Sequence, residues 1–182
     1  MITTRLLTHN EYPSYGDWLK SQDEETLRLY FGIPMNTAAI DLLIAKICNN
    51  PTEHEFLIGE RDGVRVGCVH IAISGEEVEF GIIVDKNLRG QKVGSKLLGE
   101  AILWARNRNF HDLYMHCLSW NQPIKHLCAK HGLKMSSEYG ETEVKVELPP
   151  RTFQSLVKEA TSKQSQLWHV MLENINPYYH AP

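Results

Sequence analysis

Val84-Asp85-Lys86-Asn87-Leu88-Arg89-Gly90-Gln91-Lys92-Val93-Gly94-Ser95-Lys96-Leu97-Leu98 reads as the end of a strand, a loop with two glycines and the first turns of a helix. The strand is Glu77 to Val84, with Val78, Phe80, Ile82 and Val84 on one side and Glu77, Glu79, Gly81 and Ile83 on the other. The helix is expected from about Gln91 to Asn109, because Val93, Leu97, Ala101, Trp104 and Ala105 share one face. The first amides of a helix lack internal partners, and the helix dipole places partial positive charge there. Such a place suits a phosphate, and glycine lets the backbone approach it closely. The spacing excludes two phosphate loops. G-x-x-x-x-G-K-[ST] fails because only three residues separate Gly90 from Gly94 and Ser95 precedes Lys96. G-x-G-x-x-G is also absent. The bland alternative is a tight turn followed by close helix packing at Gly94.

Upstream, Ile2 to Leu7 reads as an opening strand, and Asn10 to Phe31 is mixed, with Trp18, Leu19, Leu27 and Tyr30 at loosely helical spacing. Thr37 is the expected cap of a helix carrying Ala38, Ile40, Leu43, Ile44 and Ile47, stopped by Asn49-Asn50-Pro51. Glu55 to Gly59 and Val64 to Ile73 then form strands about an Asp62-Gly63 turn. Downstream, Leu113 to Leu118 is a strand, Ser119 or Asn121 caps a short helix that stops at Gly132, and Val144 to Leu148 is a last strand. Pro149-Pro150 breaks the chain, so residues 1–148 are read as one domain and 149–182 as a C-terminal appendage. Phe153, Leu156, Val157, Ala160, Leu167, Trp168, Met171 and Ile175 give that appendage an amphipathic helical pattern. It packs on its own domain by default, or else closes an acceptor cleft or forms a dimer contact. The fold class is α+β, a mixed and mostly antiparallel sheet layered by helices, with a C-terminal helical extension.

Composition narrows the function. The chain has 182 residues, 42% of them hydrophobic, enough for a sizeable core. Nineteen Lys and Arg against 22 Asp and Glu argue against general nucleic-acid binding. No apolar run approaches the roughly 20 residues of a membrane span, and Met1 to Asn10 lacks a signal core, so the chain reads as cytoplasmic and without a membrane partner. Cys48, Cys68, Cys117 and Cys128 stand far apart, and the nine histidines form no H-E-x-x-H, so neither a metal nor a disulfide framework is expected.

Ile82 to Ser95 resembles the acetyl-coenzyme A signature of the GNAT superfamily of N-acetyltransferases, R/Q-x-x-G-x-G/A entered from a strand. Here it reads Arg89-Gly90-Gln91-Lys92-Val93-Gly94, with Lys92 where the family usually has glycine. A second block matches in order: the strand Leu113 to Leu118, Asn121, a short helix with Ala129-Lys130-His131, and Gly132-Leu133 where the family has Gly-Phe. Cys128 stands where many members carry a tyrosine. The resemblance covers residues 2–148.

The resemblance implies transfer of an acetyl group from acetyl-coenzyme A to an amine of a small molecule or peptide, by direct attack and without a metal. It implies a β-bulged fourth strand whose splay admits the pantetheine arm at Ile82, Ile83 and Val84, with a backbone amide near Ile83 meeting the carbonyl. Arg89, Gly90, Gln91, Lys92, Val93, Gly94 and Ser95 would hold the pyrophosphate, with Asn121 and Lys130 also on the cofactor. Lys125 and His131 could meet the adenosine phosphates or simply face water. The amine needs a base, for which Glu79 is the candidate, with His116 and His70 as alternatives. Cys128 could protonate the leaving thiolate, since a thiol titrates near 8.5, and Tyr139 could substitute; the other reading of Cys128 is a small buried hydrophobe. Two further classes stand beside the enzyme: an inactive acyl-coenzyme A-binding module, suggested by Lys92 and Cys128, and an assembly protein acting through the C-terminal helix.

Overall fold

A computed structural model describes residues 1–138 and 141–162. Seven strands form one sheet: β1 (Ile2–Leu6), β2 (His54–Arg61), β3 (Val64–Ser74), β4 (Glu77–Val84), β5 (Asp112–Leu118), β6 (Met135–Glu138) and β7 (Glu141–Glu147). Their order is β1-β2-β3-β4-β5-β7-β6. Among the described residues only β4 and β5 are parallel neighbours; every other pair is antiparallel. The α+β expectation is met, and β6 is the strand that sequence patterning did not reveal.

Helices cover both faces. α1 (Tyr12–Lys20), α2 (Glu24–Phe31) and α3 (Thr37–Asn49) lie on one side. Their Tyr12, Tyr15, Leu19, Leu27, Ile40, Ile44 and Ile47 bury against Phe56, Ile58, Cys68 and Ile83. The mixed stretch 10–31 is thus two helices, broken where Asp23 caps α2 by accepting from the Thr26 amide at 3.1 Å. The cap of α3 is Asn36 rather than Thr37: its side chain accepts from the Ala39 amide at 2.9 Å. On the other face, α4 (Val93–Asn107) presents Val93, Leu97, Leu98, Ala101, Trp104 and Ala105 to Leu57, Val69, Ile71, Val78, Phe80 and Met115. α5 (Gln122–Lys130) adds Cys128 to that core. The alternation in β4 therefore feeds two cores, Val78 and Phe80 on the α4 side and Ile83 on the other.

The hairpin at Asp62-Gly63 has both residues at positive φ, 53° and 74°, the left-handed pair that a tight two-residue turn needs. The bulge expected in β4 is not there: its register with β3 runs without a shift from Ser74–Glu77 to Gly67–Val84. A register shift falls instead between β2 and β3, at Gly59 and Glu60.

After Pro149-Pro150 a further helix, α6, occupies residues 153–162. It docks by its polar side. Buried Ser155 donates to Asn107 Oδ1, and the Asn107 amide donates to the Ser155 carbonyl (3.1 Å) and to Glu159 (2.6 Å). Arg106 donates to the Pro150 carbonyl at 2.9 Å. Phe153, Leu156 and Val157 face outward, with Phe153 81% exposed. The apolar pattern is real, but on these residues it is not the docking face; Leu167 to Ile175 lie outside the described residues. No helix among the described residues is long and apolar enough to cross a membrane. Among the same residues no three His, Cys, Asp or Glu side chains group to hold a metal ion.

His70 of β3 is half-buried, stacked on Phe56 at 4.7 Å, with its Nε2 3.0 Å from His54 Nδ1. Burial, helped by His54, pushes its pKa from 6.5 down to about 3. It is a structural, neutral histidine and not a proton carrier for the site. The unfolded chain binds this proton at a higher pH than the folded one, so the His70 contribution is full above about 6.5 and is lost as pH falls toward about 3. The melting temperature is expected to fall between pH 7 and pH 5, and His70→Phe to flatten that fall. An unchanged slope in the variant would count against this account.

Candidate active site

β4 and β5 pair only from Glu77–Asp112 to Glu79–Tyr114. Beyond that point both strands continue, to Val84 and Leu118, without sharing a register. The gap they leave opens into a cavity of about 350 Å³. Its walls are Phe80 to Val84 of β4, Met115, His116 and Cys117 of β5, Asn121, Ile124 and Leu127 from the α5 segment, and Thr26, Leu29 and Tyr30 of α2. The loop residues Arg89, Gly90, Lys92, Val93, Gly94 and Ser95 close one end.

That end is built for an anion. Asp85 caps the single turn Lys86–Leu88, accepting from the Asn87 amide at 2.8 Å. Gly90 then turns at φ 77° with open space around it. Lys92 stands at φ 66° as the N-cap of α4. The family's glycine makes sense here, since left-handed backbone costs an L-residue about 1–2 kcal/mol. Lysine adopts the conformation all the same. The first intrahelical bond runs from Lys96 to the Lys92 carbonyl, so the amides of Val93, Gly94 and Ser95 precede any helical acceptor. Arg89, Lys92 and Lys130 bring three cations to the cavity, and no Asp or Glu is among its described lining residues. In a chain of net charge -3 this is a local inversion. Gly94 allows α4 to approach β4 and α5: a Cβ there would lie 3.4 Å from Leu127 and 3.5 Å from Val84.

Ile82, Ile83, Val84, Arg89, Gly90, Lys92, Val93, Gly94, Ser95, Asn121 and Lys130 thus come together around one cavity. Gln91 does not join them; its side chain accepts from Arg61 at 2.9 Å and donates to the Asn87 carbonyl. Lys125 is spent on the Ser119 carbonyl at 3.2 Å. His131 turns to Ser95, 3.1 Å from its Oγ. Asn121 caps α5 by accepting from the Ile124 amide and donates to the Leu29 carbonyl of α2, 3.3 Å in each case. It ties two walls of the cavity together.

The two proposed proton-handling residues part company. Glu79 is exposed on β4 just outside the cavity, beside the point where the strands separate. Glu77, on the same face, accepts from the Tyr114 hydroxyl at 3.3 Å. Cys128 is wholly buried in the α4 core and is absent from the cavity wall; burial pushes its thiol up to about 11. It sits as the small hydrophobe, not as an acid facing the gap. His116 does line the cavity, and Tyr139 lies outside the described residues. Sequence reading missed Thr26, Leu29 and Tyr30 as site residues. Tyr30 stood out there only by its helical spacing, which speaks of packing.

The profile of the acetyltransferase (GNAT) family matches residues 17–133. The chain belongs to the GNAT family of acetyltransferases. No curated protein sequence matches it. Three solved structures illustrate the likeness. The spermidine N-acetyltransferase of Vibrio cholerae, in complex with CoA and spermine, is 16% identical, with TM-score 0.65, over 81% of this chain and 95% of that one. yncA of Salmonella typhimurium, with its cofactor acetyl-CoA, is 18% identical, with TM-score 0.60, over 83% and 96%. The ribosomal-protein-alanine N-acetyltransferase of Brucella melitensis is 21% identical, with TM-score 0.59, over 80% and 99%. At such identities the structures speak for the GNAT fold and not for an acceptor. As a GNAT acetyltransferase, the protein falls in EC 2.3.1.-.

Proposed function

We propose that the protein transfers an acetyl group from acetyl-coenzyme A to a primary amine by direct attack, with the cavity between β4 and β5 as the coenzyme site. The observation that carries this reading is the continuity of a slot between parted strands with the start of α4, in a cavity to which Arg89, Lys92 and Lys130 bring three cations and no described lining residue brings a carboxylate. Acetyl-coenzyme A supplies the acetyl group as a thioester. The amides of Val93, Gly94 and Ser95, with Arg89, Lys92 and Lys130, favour its phosphates. Arg89 is held in place by donating to Thr26 Oγ1 at 2.7 Å. The unpaired edge of Phe80 to Val84 offers backbone groups to the amides of the pantetheine arm. Glu79, at the open end, takes the amine's proton directly or through water. The exposed carboxylates of Glu77 and Glu79 favour a cationic amine approaching from that side.

Calorimetric titration with acetyl-coenzyme A tests the reading, with coenzyme A and ATP as comparators. Micromolar binding of the acetylated form and none of ATP is expected. A panel with spermidine and an alanine-initiated peptide as acceptors, followed by thiol release, then sorts small-molecule from peptide amines. Failure of both coenzyme A forms to bind would sink the proposal.

A further inference from the structure

We propose that the Tyr30 hydroxyl, presented by α2, is a hydrogen-bond donor to the carbonyl oxygen of the acetyl thioester, and that it supports the charge developing there during transfer. This rests on the proposed coenzyme site. The position is defined by Gly81, the β4 residue two past Glu79. A Cβ built on Gly81 would lie 3.0 Å from Tyr30 Cε2 and 3.1 Å from its hydroxyl oxygen, so the phenol fills the space a side chain would take. Tyr30 also lines the cavity, at the stretch where β4 has left β5. The hydroxyl therefore sits over Gly81, on the stretch of β4 that borders the slot.

The phenol is fixed by its surroundings. Tyr15, 1% exposed, donates from its hydroxyl to that of Tyr30 at 3.1 Å. Its own ring packs on Phe56 at 4.4 Å, and the Tyr30 ring meets Phe31 edge-on at 4.6 Å. With an oxygen of Tyr30 accepting from Tyr15, the Tyr30 proton is left for a partner in the cavity. A prepositioned donor of this kind needs no reorganisation as the oxyanion forms.

The phenol also stays protonated. Burial, with Cys68 next and Glu79 adding to it, holds Tyr30 well above the ordinary tyrosine range. That is the wrong direction for handing a proton to a thiolate, which titrates near 8.5 as a thiol, and the right one for a donor that keeps its proton. In the balanced step the amine nitrogen forms the C–N bond, the C–S pair leaves with sulfur, and the amine's surplus proton departs through Glu79 to solvent. Sulfur is protonated from solvent. Tyr30 begins and ends as a phenol. Glu79 and Tyr30, on one face of β4, then have opposite tasks, proton acceptor and fixed donor.

The experiment uses acetyl-coenzyme A labelled with carbon-13 at the carbonyl, bound to the full-length protein, with binding measured first by calorimetry. The infrared carbonyl band of the bound thioester is expected to lie at lower wavenumber than in free solution, and to move back in Tyr30→Phe while binding persists. Tyr15→Phe, which leaves the Tyr30 hydroxyl in place but unoriented, is expected to give a smaller shift. Tyr12→Phe, whose hydroxyl donates to the His54 carbonyl away from the cavity, is expected to leave the band alone. With an accepted amine, turnover in Tyr30→Phe falls on the order of 100-fold at unchanged KM for acetyl-coenzyme A. A band unmoved by Tyr30→Phe in protein that still binds overturns the Tyr30 assignment alone. Absence of binding by the unmodified protein overturns the coenzyme site and this inference with it.

Discussion

Leu97→Ala is expected to remove about 4–5 kcal/mol of folding stability and to lower the melting temperature by about 10–15 °C. Leu97 is fully buried in α4, and its side chain enters a hole made by two glycines on neighbouring strands. A Cβ on Gly59 of β2 would lie 3.5 Å from the Leu97 methyls, and one on Gly67 of β3 only 2.9 Å away. The floor of that hole is strand backbone held by ladder hydrogen bonds, which cannot settle into a void, so the cost falls at the upper end of the range for such truncations. Gly67→Ala alone is also destabilising, because the added methyl meets Leu97 and, at 3.0 Å, the Ile83 carbonyl. Combining the two should restore part of the loss, since the methyl then occupies space the leucine has vacated. Urea denaturation of the four proteins closes the cycle. Strict additivity would mean that Leu97 and Gly67 do not share this space. The contact matters for function because it anchors the helix whose first turn forms the anion end of the cavity.

How much of this was legible beforehand depends on the range of the forces involved. β4, the loop and α4 were readable because alternation, turn glycines and a one-sided apolar stripe are local. The pairing of Leu97 with two glycines, one of them beside the register shift at Gly59 and Glu60, was not readable: it joins residues about 30 apart or more by shape alone. β6 was too short and too polar to declare itself, with Ser136 and Ser137 at its centre. Most of the cofactor-loop residues do gather at one cavity, yet Gln91 leaves it for Arg61, a partner no spacing rule indicates. Of the two readings of Cys128, an acid in place of the family's tyrosine and a small buried hydrophobe, the second is the one its place in the α4 core supports. Tyr30 was hidden for the converse reason. A tyrosine at helical spacing reads as core, and only the bare Gly81 opposite shows where its hydroxyl lies. The apolar pattern after Pro150 suggested the docking face of α6, whereas the buried network of Asn107, Ser155 and Glu159 does that work.

Gly94→Glu is expected to weaken acetyl-coenzyme A binding on the order of 1000-fold. The backbone of Gly94 is ordinary helix, so any residue can adopt it; what is special is the direction a side chain takes. Its Cβ would lie between Leu127 of α5 and Val84 and Ile82 of β4, at 3.4, 3.5 and 3.9 Å, and a longer chain must extend into the cavity those residues line. A carboxylate delivered there stands where the free amides of Val93, Gly94 and Ser95 are proposed to meet phosphate. One such like-charge pair at 4 Å is worth about 4 kcal/mol near a protein surface, close to a factor of 1000. Three substitutions separate the causes. Gly94→Ala adds a methyl at ordinary contact distance and should change affinity only a few-fold. Gly94→Gln adds the bulk of glutamate without its charge and isolates the steric loss. The gap between Gln and Glu is the electrostatic part, and added salt should narrow it. Calorimetry at two salt concentrations, with circular dichroism to show that each variant is folded, makes the measurement. Equal binding by Gln and Glu variants would mean that no phosphate lies at this helix start, and the anion end of the cavity would need another occupant.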